Sequence, residues 1–194
     1  MFTGIVSAAR VQRIVPEASG IKLTIEAPEI YKKSKHGDSV AIDGACLTIC
    51  GAENEMLDFY VSTETIDKTI IAQYHLGTLV NIELPLCPQD PIGGHYVLGH
   101  VDCTATVTKI DQTETSWFMT IAVPEQFCRY LVYKGSVTVN GVSLTVNSIQ
   151  STTLELCIIP VTLDKTNLKN AGPGTMVNME FDILAKYTEK LLQK

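Results

Sequence analysis

Apolar and polar residues alternate with a period of two along most of this chain, which is the pattern of half-buried β-strands. The alternation is clearest over residues 136–146, where the apolar positions are Val137, Val139, Val142, Leu144 and Val146. An Asn-Gly pair at 140–141 interrupts it, and such a pair is the strongest short signal for a hairpin turn. The segment therefore predicts two strands joined by a tight turn, with Ser143 and Thr145 on the face opposite the valines.

The same pattern occurs once before in the chain. Residues 37–49 align with residues 134–146, with an Asp-Gly pair at 43–44 as the turn. The pattern Thr-x-Asp-Lys-Thr at residues 65–69 returns at residues 162–166, and Gly-Thr-x-Val-Asn-x-Glu occurs at residues 77–83 and 174–180. The chain is a duplication, so its function is best sought where the two copies differ.

Each copy contains about six short alternating segments, frequent turn signals and little helix. In the first copy, the expected strands run from the opening residues 1–6 through Ile14, over 21–25, through the hairpin, and over 56–61 and 78–84. Closing such a sheet removes the exposed edge strands that promote aggregation. The prediction is an all-β fold of two tandem, homologous, six-stranded antiparallel β-barrels.

The segment between the copies and the end of the chain depart from this pattern. Residues 85–94 contain three prolines and two glycines, which do not suit a strand interior. They predict a linker, with domains at residues 1–94 and 95–184. Over residues 183–194 apolar side chains recur at helical spacing, which predicts an amphipathic C-terminal helix assigned to residues 185–194. The apolar face of this helix is expected to be buried by self-association of the protein rather than by packing on its own barrel.

The composition argues against several classes of function. The 194 residues are 45% hydrophobic and 19% charged, as in an ordinary globular protein. A net charge of −6 and only three arginines argue against nucleic acid as a partner. No apolar run approaches membrane-spanning length and no signal peptide is evident, so no membrane is expected and the cytoplasm is the predicted location. The six cysteines form no C-x-x-C pair or zinc spacing, so no metal is predicted.

Four positions differ between the copies in one direction, with the more polar residue in the second copy each time. The pairs are Gly37 and Lys134, Cys46 and Ser143, Pro85 and Asp182, and Ile5 and His100. Sequence drift at solvent-exposed positions is one explanation of these four differences. A functional site on the second barrel is the other. A hydrolase triad of Ser143, His100 and Asp182 lacks the usual G-x-S-x-G surroundings, and no dinucleotide or phosphate loop occurs. His95, His100 and Cys103 have no established metal-ligand spacing.

Several short motifs together resemble the riboflavin synthase family over essentially the whole chain. They are MFTGIV at 1–6, CLT at 46–48, SLT at 143–145, GGHYVLGHVD at 93–102, KGS at 134–136, Ile159-Pro160, the two Thr-x-Asp-Lys-Thr segments and KYxE at 186–189. Val161 departs from the resemblance, because family members often carry a polar residue there.

The resemblance implies Greek-key barrels and a dismutation of two 6,7-dimethyl-8-ribityllumazine molecules per site. One molecule gives four carbons to the other, which yields riboflavin and 5-amino-6-(D-ribitylamino)uracil without a metal or cofactor. It further implies a homotrimer held by the C-terminal helix, with each site between the first barrel of one subunit and the second barrel of a neighbour. Association with lumazine synthase is left open.

The resemblance also assigns site residues. In the first barrel it implies a pocket lined by Gly4, Ile5, Val6, Cys46, Leu47, Thr48, Tyr60, Val61, Ser62, Thr63, Glu64 and Thr65. In the second barrel it implies Gly99, His100, Val101, Lys134, Ser143, Leu144, Thr145, Ile158, Ile159, Pro160, Val161 and Thr162. Ser143 and Asp182 are the expected catalytic pair, with His100 assisting proton movement and Cys46 shaping the opposite pocket. Glu64 is expected to hold ribityl hydroxyls.

Two rival functions share this kind of fold. A non-catalytic lumazine- or flavin-binding antenna protein would bind one chromophore, and decay of one repeat is expected in it. Both hairpins and both Thr-x-Asp-Lys-Thr segments survive here. A flavin reductase usually carries an R-x-Y-[ST] signature, which is absent from this chain.

Overall fold

The computed structural model describes residues 1–193, and its first barrel is a closed antiparallel sheet of six strands. The strands are β1 (Ser7–Glu17), β2 (Gly20–Glu26), β3 (Ser39–Ile42), β4 (Ala45–Glu53), β5 (Met56–Ser62) and β6 (Leu79–Glu83). Their order around the barrel is β1-β2-β5-β4-β3-β6, and β6 pairs back onto β1. The barrel therefore has no free edge.

The second barrel repeats this topology. Its strands are β7 (Cys103–Gln112), β8 (Trp117–Ala122), β9 (Ser136–Val139), β10 (Val142–Gln150), β11 (Thr153–Ile158) and β12 (Met176–Phe181). The circular order β7-β8-β11-β10-β9-β12 is that of the first barrel, strand for strand. The predicted fold of two tandem six-stranded barrels is confirmed.

Short helices connect the strands. The α-helices are α1 (Pro28–Tyr31), α2 (Thr63–Lys68), α3 (Pro160–Lys165) and α4 (Ile183–Leu192), and 3₁₀ turns cover Ile70–Gln73, Glu125–Tyr130 and Asn167–Asn170. Ser62 starts α2, since its hydroxyl accepts a hydrogen bond from the Thr65 amide. None of the helices within residues 1–193 combines the length and the apolar character needed to cross a membrane.

The two predicted hairpins form, and their apolar faces fill the barrels. Asp43 and Gly44 have φ values of 44° and 79°, and Asn140 and Gly141 have 45° and 77°, as a two-residue hairpin turn of the primed type requires. In β10 the apolar residues Val142, Leu144 and Val146 are buried, whereas Thr145 is exposed. Each barrel encloses its own core, so the alternation seen in the sequence does mark the inside and the outside.

The hairpin turns also join the barrels to each other. A Cβ atom on Gly44 would lie 2.9 Å from the Gly141 amide nitrogen, and one on Gly141 would lie 2.8 Å from that of Gly44. Two buried asparagines cross the same junction: Asn81 Nδ2 donates to the Asn140 carbonyl, and Asn178 Nδ2 donates to the Asp43 carbonyl. The barrels thus meet around an approximate two-fold axis, with equivalent residues facing each other.

The opening residues do not belong to the first strand, contrary to the sequence-based expectation. Strand β1 begins at Ser7, and the residues before it lie outside the strands of the first barrel. Phe2 forms a two-way backbone bridge with Val97, which lies in the corresponding segment before β7. We call residues 2–6 the first arm and residues 97–101 the second arm. The two arms run antiparallel past each other between the barrels.

Helix α4 packs on its own barrel through polar side chains. Lys186 Nζ lies 2.6 Å from Asp102 Oδ2, and Glu189 accepts from Arg129 Nη1 and the Tyr130 hydroxyl at 3.0 and 2.8 Å. The helix begins at Ile183, two residues before the expected start at 185, and the expected last residue, Lys194, lies outside the described residues. Its large apolar side chains Leu184, Tyr187, Leu191 and Leu192 are all more than half exposed.

Candidate active site

In each hairpin, the second residue of the second strand is bound by the arm of the other barrel. The Cys46 amide donates to the Gly99 carbonyl at 2.8 Å, and the Ser143 amide donates to the Gly4 carbonyl at 2.9 Å. Gly99 belongs to the second arm and Gly4 to the first. The arms are therefore exchanged between the barrels.

Glycine is required at both crossing points. Gly4 and Gly99 each have a φ of 79°, where a side chain is disfavoured. A Cβ atom on Gly4 would lie 2.5 Å from Ser143 Cβ, and one on Gly99 would lie 2.6 Å from Cys46 Cβ. The backbone of each arm can approach the opposite hairpin only because no side chain stands between them.

This exchange corrects the expected grouping of site residues. The family resemblance implied that Gly4, Ile5 and Val6 line the pocket of the first barrel, and that Gly99, His100 and Val101 line the pocket of the second. Instead Gly4 contacts Ser143, whereas His100 lies in one cleft with Cys46. The expected grouping placed each arm with the barrel that follows it in the sequence, whereas each arm crosses to the other barrel.

The first-barrel site is a cleft between the first half of β4 and the end of β5. One part, of about 270 Å³, is lined by Ala45, Cys46, Glu64, Thr65, Lys68, Thr69, Gly99, His100 and Val101. An adjoining part of about 370 Å³ is lined by His36, Cys46, Leu47, Thr48, Ile49, Cys50, Tyr60, Ser62 and Thr65. The parts share Cys46 and Thr65. Of the residues expected in this pocket, Val61 is buried in the core and Thr63 lies at the start of α2, outside both parts.

The second-barrel site is crossed by the linker, and its central contact joins Ser143 to His95. Ser143 Oγ lies 2.7 Å from His95 Nδ1, and His95 Nε2 lies 3.4 Å from Thr138 Oγ1. A Cβ atom on Gly94 would lie 2.8 Å from Ser143 Oγ, so the linker backbone also approaches this hydroxyl closely. Sequence reasoning gave His95 no part in a site with Ser143, because 48 residues separate the two.

Burial keeps His95 neutral. Burial lowers the pKa of the His95 imidazole below its ordinary value, and the nearby Asp182 carboxylate offsets only part of this effect. In the tautomer that carries its proton on Nε2, Nδ1 accepts the Ser143 hydroxyl proton and Nε2–H faces Thr138. A neutral imidazole in this position can take a proton that passes through the serine hydroxyl.

Asp182 stands beside this pair and starts helix α4. Its Oδ1 accepts a hydrogen bond from the Leu184 amide at 2.9 Å. Among the described residues it forms no hydrogen bond to Ser143, so the expected pair is connected only through the electrostatic effect of Asp182 on His95. His100 lies in the cleft beside Cys46 and not beside Ser143. The expected grouping of His100 with Ser143 and Asp182 therefore does not form.

The remaining residues expected in the second-barrel site lie on or just before the hairpin of the second barrel, at the end of β11 and at the start of α3. Lys134 has a φ of 60° where the first copy has Gly37, and its Nζ donates to Asn147 Oδ1 at 3.2 Å. Ile159 and Val161 are about half exposed at the start of α3, while Ile158 is buried. Pro160 fits the first turn of α3, where no amide donor is needed. Leu144 and Thr145 lie on β10, and Thr162 lies on α3.

No group of three or more histidine, cysteine, aspartate or glutamate side chains within residues 1–193 is arranged to hold a metal ion. His95 and His100 lie at different hairpins, and burial raises the pKa of the Cys103 thiol to about 12, which leaves it protonated. The polar groups of the two sites are hydroxyl, thiol, imidazole, carboxylate and ammonium groups together with backbone amides. They suit hydrogen bonding to a flat heterocycle and proton transfer to or from it.

Comparison with known proteins agrees with this architecture. The model of the lumazine binding domain family matches the chain twice, over residues 3–85 and 98–182. Riboflavin synthase of Photobacterium phosphoreum is 37% identical over 194 residues, which cover 99% of this chain and 89% of that protein. Riboflavin synthase of Mycobacterium tuberculosis is 36% identical over 198 residues, covering 100% of this chain and 98% of the relative.

Solved structures show the same fold at lower sequence identity. LumP complexed with 6,7-dimethyl-8-(1'-D-ribityl)lumazine matches 93% of this chain and 99% of its own, with a TM-score of 0.85 and 23% identity. The LumP complex with riboflavin gives a TM-score of 0.86. With two matched domains and relatives above 30% identity over the full chain, this protein belongs to the riboflavin synthase family of enzymes.

Proposed function

We propose that this enzyme transfers a four-carbon unit between two molecules of 6,7-dimethyl-8-ribityllumazine, giving riboflavin and 5-amino-6-(D-ribitylamino)uracil. One observation carries the proposal: a single chain has two equivalent sites with unequal polar groups, Cys46 and His100 at the first hairpin and Ser143 and His95 at the second. A dismutation needs this combination, because two copies of one substrate must take different parts, one as donor and one as acceptor. Donor and acceptor supply each other's redox equivalents, so no further reactant is required.

In the first-barrel site, we assign the ring system of one substrate to the cleft beside Cys46. Backbone groups of β4 at Leu47 and Thr48 can pair with the edge of a pyrimidinedione, and Tyr60 offers an exposed aromatic face at the rim. Glu64 and Lys68 stand at the open end, where they suit ribityl hydroxyls. Gly99, His100 and Val101 of the second arm close the opposite wall.

In the second-barrel site, we assign the second substrate to the surface around Ser143. We assign Leu144, Thr145 and residues 158–162, which lead from the end of β11 into α3, to one side, and Lys134 to the other. Gly4, Ile5 and Val6 of the first arm contribute the remaining wall, because the Gly4 carbonyl is fixed on the Ser143 amide. The apolar side chain at Val161 leaves this part of the wall to backbone donors and acceptors.

The proton chemistry is assigned to the second-barrel site. The 7-methyl group of the substrate is acidic, so the reaction needs a base and a group that stabilises the resulting anion. The Ser143 hydroxyl and the neutral His95 imidazole form a path for the proton, with Asp182 supporting charge on the imidazole as it takes that proton. Cys46 and His100 then face the partner substrate from the first barrel. Holding the two substrates in register supplies a further share of the rate.

We further propose that the active enzyme is a homotrimer in which each complete site lies between two subunits. The support comes from α4, whose polar side packs on its own barrel while Leu184, Tyr187, Leu191 and Leu192 remain exposed. Such an apolar surface is normally covered by a partner. A cytoplasmic location and an association with lumazine synthase stay predictions.

The test is turnover of purified full-length protein with 6,7-dimethyl-8-ribityllumazine in the absence of metal and nucleotide. Absorbance and chromatography of the products are expected to show riboflavin and the ribitylaminouracil in equal amounts. Tight binding without product would overturn the enzymatic proposal in favour of an antenna protein. Absence of binding would overturn the substrate assignment itself.

A further inference from the structure

Two buried glutamates anchor the arms, each on the last strand of its own barrel. Glu83 ends β6 and is 8% exposed, and Glu180 lies on β12 and is 3% exposed. A carboxylate so deeply buried needs compensating donors. Neither glutamate faces a lysine or arginine at ion-pair distance among the described residues, so their partners must be sought on the backbone.

The donors belong to the arms, and all but the Thr3 hydroxyl are backbone amides. Glu83 accepts from the amide and the hydroxyl of Thr3, both at 2.7 Å, and from the Gly4 amide at 3.0 Å. Glu180 accepts from the amides of Leu98, Gly99 and His100 at 2.7, 2.9 and 3.0 Å. In both cases the two carboxylate oxygens share three donors. This arrangement fixes the arm to a carboxylate at the same residue, Gly4 or Gly99, whose carbonyl reaches the opposite hairpin.

The far side of each arm is held by the other barrel. The Gly99 carbonyl accepts from the Cys46 amide, and the Gly4 carbonyl accepts from the Ser143 amide. Each arm is therefore clamped between a carboxylate of its own barrel and the site residue of the opposite barrel. A shift of the carboxylate would move the wall of a site that lies on the other repeat.

We propose that Glu83 and Glu180 are positioning residues acting in a crossed manner: Glu180 sets the geometry of the Cys46 site on the first barrel, and Glu83 sets that of the Ser143 site on the second. The use of these sites for lumazine rests on the proposed function, whereas the crossed positioning rests on the arms alone. Neither glutamate touches the substrate in this proposal. Each determines where backbone and side-chain groups of one arm stand.

The substitutions Glu180→Gln and Glu83→Gln test this and serve as matched controls for each other. A glutamine keeps the shape of the side chain but has one accepting oxygen, and its NH₂ group would face backbone N–H donors. The loss of these bonds is expected to loosen one arm by roughly tenfold or more in its opening equilibrium. The other arm, which is bound by the glutamate that is not substituted, is expected to stay in place.

The first measurement is hydrogen exchange of the ligand-free full-length protein, followed by mass spectrometry on peptides covering residues 44–50 and 141–147. In Glu180→Gln, exchange is expected to rise about tenfold at 44–50, in the opposite barrel, and to remain unchanged at 141–147. Glu83→Gln should give the reverse pattern. A general loss of stability would not confine the faster exchange to the hairpin of the opposite barrel. Faster exchange in the substituted barrel's own hairpin, or in both hairpins equally, would overturn the proposal.

The second measurement repeats the exchange with saturating 6,7-dimethyl-8-ribityllumazine. Each variant is expected to lose ligand protection at the hairpin of the opposite barrel only. If the wild-type protein shows no ligand protection at either hairpin, the proposed function fails, while the ligand-free pattern still decides the crossed positioning. Should the glutamine variants not fold, Gly99→Ala and Gly4→Ala displace the same arms through contacts with Cys46 and Ser143, and the same crossed pattern is expected.

Discussion

Asp182 has two separable functions in this structure, one in the helix and one at the site. Its carboxylate caps α4 through the Leu184 amide, and its charge raises the pKa of His95 against the effect of burial. Asparagine can replace aspartate as a helix cap with little loss. The cap and the charge can therefore be removed independently.

We predict that Asp182→Asn lowers kcat by about 100-fold or more, because the imidazole loses the charge that stabilises its protonated form. The melting temperature should change little, since the cap is kept. Asp182→Ala is the comparison: it should show the same loss of turnover together with a loss of about 1 kcal/mol in stability. Steady-state kinetics and thermal unfolding measure both effects. Full turnover in Asp182→Asn would contradict the assigned role.

Asp43 is a fully buried carboxyl group at the junction of the barrels, where the second copy has Asn140. It accepts from the Asn81 amide, from Asn167 Nδ2 and from the Tyr74 hydroxyl at 2.7, 2.8 and 2.6 Å. Burial nevertheless raises the pKa of Asp43 to about 7. A raised pKa means that the folded state favours the protonated form. The stability it contributes is complete below pH 3.8 and is lost as the pH rises through about 7.

Asp43→Asn is therefore expected to flatten the fall in stability between pH 4 and pH 8. The asparagine oxygen can keep the bonds from Asn81 and Asn167, and its NH₂ group can donate to the Tyr74 oxygen. By pH 8 the variant should exceed the wild type by about 2–4 kcal/mol in the free energy of unfolding. Urea titrations across this pH range measure the difference, with the exposed Asp67→Asn as control. Parallel pH profiles for wild type and Asp43→Asn would contradict the expectation.

Single residues were the least predictable part of the site. Cys46 and Ser143 could be found because each lies near the start of the second strand of a recognisable hairpin and the two copies differ there. His95 could not, because nothing local to a glycine-rich linker indicates that it returns to a serine 48 residues away. His100 was assigned to the wrong barrel for a related reason: repeat alignment gives a residue its sequence neighbours, while the arm carries it elsewhere.

At the scale of the elements, helix α4 has one polar side that contacts its own barrel and one apolar side that is exposed. Ion pairs to Asp102 and Arg129 hold it on the second barrel. Leu191, at 81% exposure, and Tyr187, at 63%, point away from that barrel. Because the polar contacts already fix the helix, a change on the apolar side should affect assembly more than folding.

Leu191→Glu is predicted to convert the proposed trimer to monomer at micromolar concentrations, since a charge would be buried in an apolar contact between subunits. Far-ultraviolet circular dichroism should remain that of the wild type. Sedimentation equilibrium measures the mass, and Lys190→Glu, an exposed neighbour, is the control. An unchanged mass in Leu191→Glu, or a monomeric wild type, would show that this helix does not hold the assembly.

The elements themselves followed closely from the sequence. Period-two alternation located the strands, and the Asp-Gly and Asn-Gly pairs located both hairpins, because backbone conformation at these turns is a local property. The exception is the segment before Ser7, which was expected to continue into the first strand but forms an arm. Phe2 and Thr3 are buried there, and a sequence does not distinguish burial in one barrel from burial between two.

At the scale of the whole molecule, the two barrels depend on a contact between turns that no pattern within one copy reveals. Gly44 and Gly141 face each other so closely that each backbone occupies the place of the other's side chain. The buried asparagines of both barrels bond across the same junction. The folding of each barrel is thereby coupled to its contact with the other barrel.

Gly141→Ala should consequently destabilise the whole protein by roughly 2–5 kcal/mol, because it combines a φ of 77° with a contact to the Gly44 backbone. Gly172→Ala is the matched control, since no atom lies within 4 Å of the place of its Cβ. Urea denaturation measures both. A Gly141→Ala midpoint as high as that of Gly172→Ala would exclude the turn contact as a source of stability.

The exchanged arms also bear on how such a chain could arise. A gene encoding one barrel would produce a protein whose arm could complete only the pocket of a second copy, so the ancestral unit would be a symmetric dimer with two identical pockets. Fusing two such genes makes that pairing permanent. It also frees the arms to diverge, and Ile5 in one and His100 in the other record that divergence. Duplication thus offered selection two chemically different pockets without a new fold.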